Sequence, residues 1–506
     1  MNNYYIKTER TFTPTRKYAW IFTVLVAIGG LWEPRLGLLV ILIMAGLIGT
    51  SFFSGRYWCG NFCPHGSLFD QIIMPISLNK KIPKFLKSKW MIGGFFLFFM
   101  FSFSRKIYSV IPLWGEMVFV ERLGFVFVTT YLMVLLVGGL FALTVNPRTW
   151  CQFCPMGTLQ KLSYALGRKT GVAKKTEPKV TISSQEKCHS CGKCSRVCPF
   201  QLKPYLEFSD NNQFDNINCI KCGTCVENCP AGILSLETEK EAIQLKEATS
   251  IAGYENRQKI TAKLSNIINL KDDTKEYVFD FQSPQKVSYE AGQFILVKIE
   301  DEPLSYRAYS ISSYNEDDSS LSIIVKRVEN GYGTSILFDR FNIGDPVELE
   351  GPMGDELLID RSGENLIFIA NGIGITPFIA MVKDALLNQP HLKRVTLLHG
   401  QRFDHDFLYS DYFKELEKEY PKFTYEEIAS RPKSQQYRKG YVTELIKEVE
   451  LKDAHVYMCG SKNMIVDSYN YLKENGVKKE NINYESEEKI KEVEEDKFKD
   501  KKSKAA

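Results

Sequence analysis

The sequence is poor in histidine and nearly neutral overall, with 6 His among 506 residues and a formal net charge of +4. This balance of acidic and basic groups gives no sign of a nucleic-acid partner. No His falls in the four apolar stretches of the chain, which span 18–32, 36–53, 90–104 and 123–145. Haem held between membrane helices needs pairs of intramembrane His, so haem proteins of that class are excluded on ligand supply.

The sequence also lacks a cleavable-looking signal peptide, which bears on its 13 Cys. A disulfide framework would be out of place in such a chain, because disulfides are rare on the cytosolic side of a membrane. All but one of the Cys fall in short runs with the spacing of metal ligands. We therefore expect a metalloprotein, and runs of this kind favour iron.

Long apolar runs occur only in the first third of the chain, and the rest is rich in Lys and Glu. The four stretches predict about four transmembrane helices, since a hydrocarbon core takes roughly 20 helical residues. Buried helices of a large soluble core are the alternative. Basic residues cluster at the N-terminus, in the loop 54–89 and after residue 145, and they include Arg10, Arg16, Arg56 and Arg148. The positive-inside rule then predicts a multi-pass protein of the cytoplasmic (inner) membrane with both termini in the cytoplasm.

One sequence pattern occurs twice, after the second and the fourth apolar stretches. Residues 56–68 read RYWCGNFCPHGSL and residues 148–159 read RTWCQFCPMGTL. Each copy contains a Cys pair, namely Cys59 with Cys63 and Cys151 with Cys154. Two helical hairpins packed about a pseudo-two-fold axis would bring the four thiolates together, and one [4Fe–4S] cluster needs four Cys. Two separate pairs of buried or zinc-binding Cys are the alternative.

Two further Cys runs share the spacing C-x-x-C-x-x-C-x-x-x-C-P, which is the signature of a bacterial two-cluster ferredoxin. They contain Cys188, Cys191, Cys194 and Cys198, and Cys219, Cys222, Cys225 and Cys229. In this signature the fourth Cys of each run ligates the other cluster. We therefore expect one cluster on Cys188, Cys191, Cys194 and Cys229, and a second on Cys219, Cys222, Cys225 and Cys198. Clusters so close together serve mainly to carry electrons.

Residues 15–235, roughly, resemble the polyferredoxin-type membrane proteins that are accessories in nitrate and nitrous-oxide respiration. That family repeats a C-x-x-x-C-P pair after transmembrane hairpins, which implies a cluster-ligand role for both Cys pairs of the repeat. The second pair departs from the pattern, because Cys151 and Cys154 are one residue closer. The resemblance also leaves open an accessory role in assembly or redox sensing, without steady turnover.

From about residue 252 the sequence alternates as a β-rich domain, and Arg307-Ala308-Tyr309-Ser310 matches the R-x-Y-[ST] motif of the ferredoxin–NADP reductase family. Arg307 can neutralise a flavin pyrophosphate. The resemblance implies that Tyr309 stacks on the flavin ring and that Ser310 bonds its edge near N5. Residues 331–337 resemble the family's G-x-x-[ST]-x-x-L element, in which a helix N-terminus holds the flavin phosphate. Its candidate residues are Gly333, Thr334 and Ser335.

The next lobe begins with a buried-strand run, 366–370, followed by the glycine-rich turn NGIGITP at 371–377. Such a turn between a strand and a helix lets backbone N–H groups cradle a pyrophosphate. The candidate nucleotide-binding residues are Gly372, Gly374, Pro377, Arg402, Cys459 and Gly460. Cys459 and Gly460 resemble the family's Cys-Gly beside the nicotinamide; a small buried thiol is the alternative for Cys459. Arg402 could touch a ribose phosphate.

The ferredoxin–NADP reductase resemblance covers roughly residues 252–486. It implies FAD, hydride exchange with NAD(P)H, and a catalytic role for Tyr309, Ser310 and Cys459. We predict a multidomain fold with five segments. They are an α-helical membrane domain at 1–180, a two-cluster ferredoxin α+β domain at 181–240, an antiparallel FAD-binding β-barrel at 250–357, an α/β NAD(P)-binding lobe at 358–486, and a disordered tail at 487–506.

The order of these motifs predicts an NAD(P)H-dependent iron–sulfur flavoprotein oxidoreductase with its redox domains in the cytoplasm. Electrons would pass from NAD(P)H to FAD, to three [4Fe–4S] clusters, and then to a quinone or a protein redox partner at the lipid bilayer. FAD is needed because NAD(P)H gives two electrons as hydride while each cluster accepts one. Reverse flow onto NAD(P)⁺ is an alternative, since cluster potentials depend on hydrogen bonding and burial.

Overall fold

The computed structural model describes residues 4–314, 317–485, 490 and 493. The chain divides into two compact units. The first contains Met1–Cys188 and Gly192–Thr249, and the second contains His189–Cys191 and Ser250–Ala506. The tail predicted at 487–506 lies outside the described residues except for 490 and 493.

The first unit is mostly helical. Its helices are α1 (Pro14–Tyr18), α2 (Trp20–Ala27), α3 (Leu39–Ser54), α4 (Tyr57–Asn61), α5 (Pro64–Leu68), α6 (Lys89–Tyr108), α7 (Met117–Met133), α8 (Gly139–Thr144), α9 (Pro155–Lys169), α10 (Val172–Thr176), α11 (Lys193–Arg196), α12 (Thr224–Glu227) and α13 (Glu239–Ala248). Its strands β1 (Lys179–Ile182) and β2 (Leu234–Glu237) form an antiparallel pair. This small sheet and the short helices α11 and α12 match the α+β ferredoxin domain that the Cys runs predict.

Three helical stretches are long and apolar enough to cross a membrane, namely Pro34–Ser54, Lys89–Leu113 and Met117–Thr144. In α6 none of the 20 residues is buried. Its apolar side chains are instead exposed, as Phe98 and Phe101 show at 66% and 70%. An apolar helix with no buried face is what a lipid environment accommodates.

The stretch 18–32, which predicted a further transmembrane helix, is not among these three. It contains α2 and the 3₁₀ turn Gly29–Leu31, and Ala19 and Ile28 on either side of α2 have right-handed helical backbone angles. A membrane span there stays a prediction. Adjacent glycines have low helix propensity. A Cβ on Gly30 would collide with Val128 of α7, so close packing also requires glycine there.

Four of the basic residues that predicted the membrane orientation are buried. Arg10, Arg16, Arg56 and Arg148 are 1–3% exposed. Because they contact protein groups, they are not available to lipid headgroups. The predicted orientation therefore rests on the remaining basic residues, such as the exposed Lys84 and Lys89 of the 54–89 loop and Lys174 and Lys175 after residue 145, and stays a prediction.

The second unit begins with a six-stranded antiparallel sheet, in the strand order β6-β5-β8-β3-β4-β7. Its strands are β3 (Gln258–Lys271), β4 (Thr274–Ser283), β5 (Phe294–Asp301), β6 (Leu304–Ser310), β7 (Ser320–Lys326) and β8 (Pro346–Met353). Helix α14 (Tyr332–Arg340) precedes β8. Inward-facing residues such as Ile260, Phe279 and Leu349 form a buried apolar core, as the predicted alternation requires.

The remainder of the second unit is a five-stranded parallel sheet, in the order β11-β10-β9-β12-β13. Its elements are β9 (Asn365–Asn371), α15 (Thr376–Asn388), β10 (Arg394–Gln401), α16 (Ser410–Glu419), β11 (Phe423–Ala429), α17 (Val442–Leu445), β12 (Ala454–Cys459), α18 (Lys462–Glu474) and β13 (Ile482–Glu485). The chain leaves β9 toward β10 and later returns on its other side at β12. Such a topological switch point is where open α/β sheets bind nucleotides.

Candidate redox sites

The two copies of the repeat contact each other through hydrogen bonds from their arginines. Arg56 of the first copy donates to the carbonyl of Cys151 in the second, at 3.1 Å. In return, Arg148 donates to the carbonyl of Cys59, at 3.3 Å. The repeat's glycines make room for these side chains, because a Cβ on Gly66 or Gly157 would lie within 2.5 Å or 3.0 Å of the opposite guanidinium. The shared Arg and Gly of the pattern are thus explained by one reciprocal contact.

The four Cys of the repeat lie near one another. Burial raises the pKa of the Cys154 thiol to about 12, with further contributions from Cys151 and Cys59. The pKa of Cys63 is raised by burial and by the same Cys59 and Cys151. Such mutual effects require short separations. A metal group bound here would have to supply the positive charge that offsets these effects, because it takes deprotonated sulfur.

One cavity of the first unit is lined by four ferredoxin Cys together, namely Cys198, Cys219, Cys222 and Cys225. The other lining residues are apolar, including Val180, Phe200 and Phe214. Burial and Cys222 raise the pKa of Cys198 to about 11. The grouping unites the fourth Cys of the first run with three Cys of the second, as the two-cluster signature predicts.

Three members of the other ferredoxin set lie in one core. Cys188, Cys194 and Cys229 belong to one hydrophobic core of the first unit. Cys191 falls, with its neighbours from His189 onward, in the second unit. Among the described residues, no three His, Cys, Asp or Glu side chains form a group that could hold a single metal ion. The ligands of an iron–sulfur cluster surround a larger group of atoms.

In the second unit, the flavin motif Arg307–Ser310 forms the end of β6. Arg307 lies against α14, where a Cβ on Gly333 would come within 2.7 Å of its Nε atom. The Thr334 hydroxyl accepts a hydrogen bond from Val328 N–H at 3.1 Å, and Ser335 lies in the first turn of the helix. A guanidinium beside a helix N-terminus suits the pyrophosphate of FAD. Tyr309 packs against the barrel core.

Ser310 has a partner that the sequence motifs did not indicate. Its hydroxyl donates to Glu485 Oε2 at 3.2 Å. Burial and the nearby Glu356 raise the pKa of Glu485 to about 7, against a smaller lowering by the Ser310 hydrogen bond. A carboxyl with such a pKa is partly protonated near neutral pH and can exchange a proton through Ser310. Glu485 also pairs in register with Cys459 of the neighbouring strand.

The nucleotide turn and the Cys-Gly motif meet at the switch point of the parallel sheet. A Cβ on Gly374 would run into the carbonyl of Cys459 and the Cα of Gly460, so only glycine fits. Asn371 fastens the two loops, because its Oδ1 accepts from Ser461 N–H at 2.8 Å. Gly372 adopts φ +59° with open space around it. This arrangement leaves backbone N–H groups free to face a pyrophosphate.

Two further candidates occupy less constrained places. Pro377 lies in the first turn of α15, where its missing N–H leaves no helical bond unmade. Arg402 is exposed just beyond β10, with its guanidinium 5.4 Å from the Phe403 ring centroid.

Comparison with known families matches both halves of the chain. A 4Fe–4S binding domain matches residues 36–84 and 128–173, and a 4Fe–4S dicluster domain matches residues 187–234. An oxidoreductase FAD-binding domain matches residues 261–356, and an oxidoreductase NAD-binding domain matches residues 368–469. The second half is a reductase of the ferredoxin–NADP reductase type. The chain as a whole is an NAD(P)H-dependent FAD oxidoreductase with 4Fe–4S domains.

Individual relatives resemble the reductase half. The toluate 1,2-dioxygenase electron transfer component of Pseudomonas putida is 28% identical over 239 residues, which cover 47% of this chain and 68% of that protein. One component of the Na⁺-translocating NADH-quinone reductase of Neisseria meningitidis is 29% identical over 224 residues, which cover 40% of this chain and 55% of that protein. The match thus spans little more than half of this second relative. A cytochrome P450 reductase structure from Amycolatopsis is 26% identical, with a TM-score of 0.43, covering 46% of this chain and 71% of that one.

Sequence reasoning missed three kinds of residue in these reductase and cluster sites. Glu485 belongs to no motif, and only its place at the end of the last strand could have suggested it. Asp70 and Gln160 contact the repeat's arginine and cysteine side chains from distant positions in the chain. Arg56 and Arg148 were visible in the repeat, but their charge was read only as a signal of membrane orientation.

Proposed function

We propose that the protein takes electrons from NAD(P)H into FAD and passes them through its ferredoxin clusters to a cluster held by the repeated Cys pairs at the membrane. All twelve Cys of the runs serve as cluster ligands, in the three sets predicted from the sequence. From the membrane cluster the electrons leave to a quinone or a protein partner. The redox domains and both termini face the cytoplasm.

One observation carries this proposal: the first repeat motif packs directly on the second ferredoxin motif. A Cβ on Gly60, beside Cys59, would run into the carbonyl of Ile220, which lies between Cys219 and Cys222. Asn61 donates to the Lys221 carbonyl at 3.2 Å. The Cys of two predicted clusters are therefore separated by little more than two packed backbones.

A shared apolar core surrounds this junction. Cys151 is buried in it, and Cys59, Cys154, Cys198 and Cys222 pack against it. The Phe200 ring, which also lines the ferredoxin cavity, lies 4.6 Å from the Arg56 guanidinium. Because this core is apolar and joins the two Cys groups, it favours direct electron transfer between their clusters.

The reductase site supports entry of electrons as hydride. Tyr309 and Ser310 would contact the flavin ring, while Cys459 would lie beside the nicotinamide held on the Gly372–Gly374 turn. FAD accepts the hydride and releases electrons singly. The Ser310–Glu485 pair would hold the proton that accompanies this change, since the carboxyl titrates near neutral pH.

A quinone is the acceptor that the surroundings favour. Three apolar helices of membrane length belong to the same unit as the last Cys set, and a relative of the reductase half is a component of an NADH-quinone reductase. Reverse flow would use the same path with a protein donor. A redox-sensing accessory protein does not need a packed nucleotide-binding turn, so an enzyme with steady turnover is the better proposal.

The test is anaerobic addition of NADH, and then of NADPH, to the detergent-purified protein, followed by flavin absorbance and low-temperature EPR. We expect the flavin to bleach and reduced-cluster signals to appear. Cys59→Ala and Cys151→Ala should each remove one signal, that of the membrane cluster, and leave the ferredoxin signals as an internal control. Wild-type protein in quinone-containing vesicles should then oxidise NAD(P)H continuously.

Bleaching of the flavin while every cluster stays oxidised would overturn the nucleotide-fed path and favour reverse flow. A single turnover without steady NAD(P)H oxidation, even with an artificial one-electron dye, would favour the accessory role. Loss of all cluster signals in Cys59→Ala would contradict the assignment of separate Cys sets.

A further inference from the structure

The Cys of the repeat lie in an unusually cationic interior. Arg148 binds Asp70 through two bonds, Nε to Oδ1 at 3.1 Å and Nη2 to Oδ2 at 2.7 Å. Arg10 and Arg16 bind the same carboxylate. Three buried guanidiniums therefore share one buried carboxylate, and a fourth buried guanidinium, that of Arg56, lies close to the same Cys.

Arg56 and Arg148 occupy equivalent places in the repeat, but only Arg148 has an acidic partner. Arg56 is 3% exposed, its Nε atom makes no hydrogen bond, and its Nη2 atom faces the Cys151 carbonyl and, at 3.8 Å, the Cys59 sulfur. Within the part of the chain that the structure describes, it forms no salt bridge. A buried cation without an anion is costly, so its counter-ion must come from a group bound at these Cys.

An iron–sulfur cluster on four thiolates supplies that negative charge, and the charge increases when the cluster accepts an electron. Arg148 Nη1 lies 3.6 Å from the Cys151 sulfur, and Gln160 Nε2 lies 3.1 Å from the Cys59 sulfur. Cations and N–H donors aimed at cluster sulfurs favour the reduced, more negative state. Of the cations near the ferredoxin set at the cavity, Lys221 is paired with Glu177 and Arg10 with Asp70, while Lys87 donates to the Gln201 side chain.

We propose that Arg56 is the counter-ion of the membrane cluster and that, together with Arg148, it raises the reduction potential of this cluster above those of the two ferredoxin clusters. In the resulting step, one electron leaves a ferredoxin cluster, which is oxidised, and enters the membrane cluster, which is reduced. Electrons thus collect at the membrane. The inference rests on the cluster assignments of the proposed function, although not on NAD(P)H as the donor.

The experiment is a mediated redox titration of the detergent-purified protein, followed by EPR. The membrane signal is identified as the one that Cys59→Ala and Cys151→Ala remove. In the wild type it should appear at a higher potential than both ferredoxin signals. Because mediators set the potential, a failure of nucleotide-driven reduction would not affect this result.

Arg56→Gln should lower the reduced-to-oxidised ratio of the membrane cluster about tenfold at a fixed potential, equivalent to about 59 mV for one electron. The ferredoxin signals should keep their potentials. Arg56→Lys keeps the positive charge, so it should lower the reduction potential of the membrane cluster less than Arg56→Gln does. Arg35→Gln is the matched control, since Arg35 is half exposed and paired with Glu121 at 2.9 Å. It should cause no shift.

A wild-type membrane signal at or below the ferredoxin potentials would overturn the proposal without any variant. So would an unchanged membrane potential in Arg56→Gln with its iron content intact. If Arg56→Gln is purified without the membrane cluster, Arg56→Lys decides. The counter-ion role would be refuted if Arg56→Lys binds the cluster but lowers its reduction potential as far as is expected for Arg56→Gln.

Discussion

The first unit buries several of its ion pairs completely, whereas the second leaves several of its ion pairs at the surface. The side chains of Arg148 and Asp70 are 1% and 0% exposed. In the second unit, those of Arg394 and Glu450 are 46% and 55% exposed. Buried charges are costly when a partner is lost, while exposed pairs contribute little. The first unit should therefore be sensitive to the loss of its buried charged groups, and the second far less sensitive to the loss of its exposed ones.

The second unit instead depends on apolar layers. Strand β9 is buried along most of its length, and Leu366, Phe368 and Ile369 are 0% exposed. The first unit places Cys, Arg and Gln side chains at equivalent depth. A sheet core of this kind is stable without a cofactor, whereas a cationic pocket is stable only with its anion. The difference suggests that cluster assembly and folding are coupled in the first unit alone.

The largest effect that would test this comparison is expected from Asp70→Asn. Three buried guanidiniums would lose their shared carboxylate at nearly constant shape. Breaking a buried ion pair of this kind typically costs about 3–5 kcal/mol. The measurement is thermal unfolding followed by cluster absorbance, with flavin absorbance reporting the second unit in the same sample. Equal stability of wild type and variant by both signals would contradict the comparison.

Acid should weaken the same site in the wild type. Burial alone would raise the pKa of Asp70, but Arg148, Arg16 and Arg10 hold it well below its ordinary value. The stabilisation by this carboxylate is therefore fully present above the ordinary pKa of Asp, about 4, and is lost only as the pH falls below that value.

The next effect tests the packed turn of the second unit. Gly374→Val would force the nucleotide turn away from Cys459, and a displacement of about 1 Å can cost about 100-fold in rate. We expect NAD(P)H-driven bleaching of the flavin to slow by at least that factor. Reduction by dithionite should be unaffected. Gly93→Ala is the control, because a Cβ there meets no atom within 4 Å.

A smaller effect is expected from Glu485, a partly buried carboxyl of the second unit. Because the pKa of Glu485 is raised to about 7, the folded state retains its proton where the unfolded chain has lost it. The stabilisation is complete below the ordinary pKa of Glu, about 4.3, and is lost as the pH rises toward 7, by about 1–3 kcal/mol. Glu485→Gln should flatten this part of the stability–pH curve measured by flavin release. An unchanged slope would mean that Glu485 is not the titrating group.

The smallest effect should come from the surface of the second unit. Arg394→Ala removes the exposed pair with Glu450, in which the two side chains are 2.9 Å apart. We expect the unfolding free energy to change by less than about 0.5 kcal/mol in denaturant titrations. If Arg394→Ala lowered the unfolding free energy as much as Asp70→Asn does, the proposed difference between the units would be contradicted.

Much of this protein could be predicted from short-range patterns. Cys spacing predicted the iron–sulfur domains, because ligand geometry restricts how far apart neighbouring Cys can be. Alternation and glycine-rich turns predicted both sheets of the reductase. The transmembrane helix predicted at 18–32 is not among the three helices of membrane length, and apolar composition alone did not reveal that Gly30 packs against Val128 of α7.

What the sequence by itself determined is therefore local: which residues form strands, which Cys belong to one run, and where a turn needs glycine. Only the tertiary structure decided which distant residues meet. It brought Glu485 to Ser310, Asp70 to three arginines, and Arg56 across to the opposite copy of the repeat. Long side chains such as arginine can reach many partners, so their contacts follow from the packing of whole helices rather than from their neighbours in sequence.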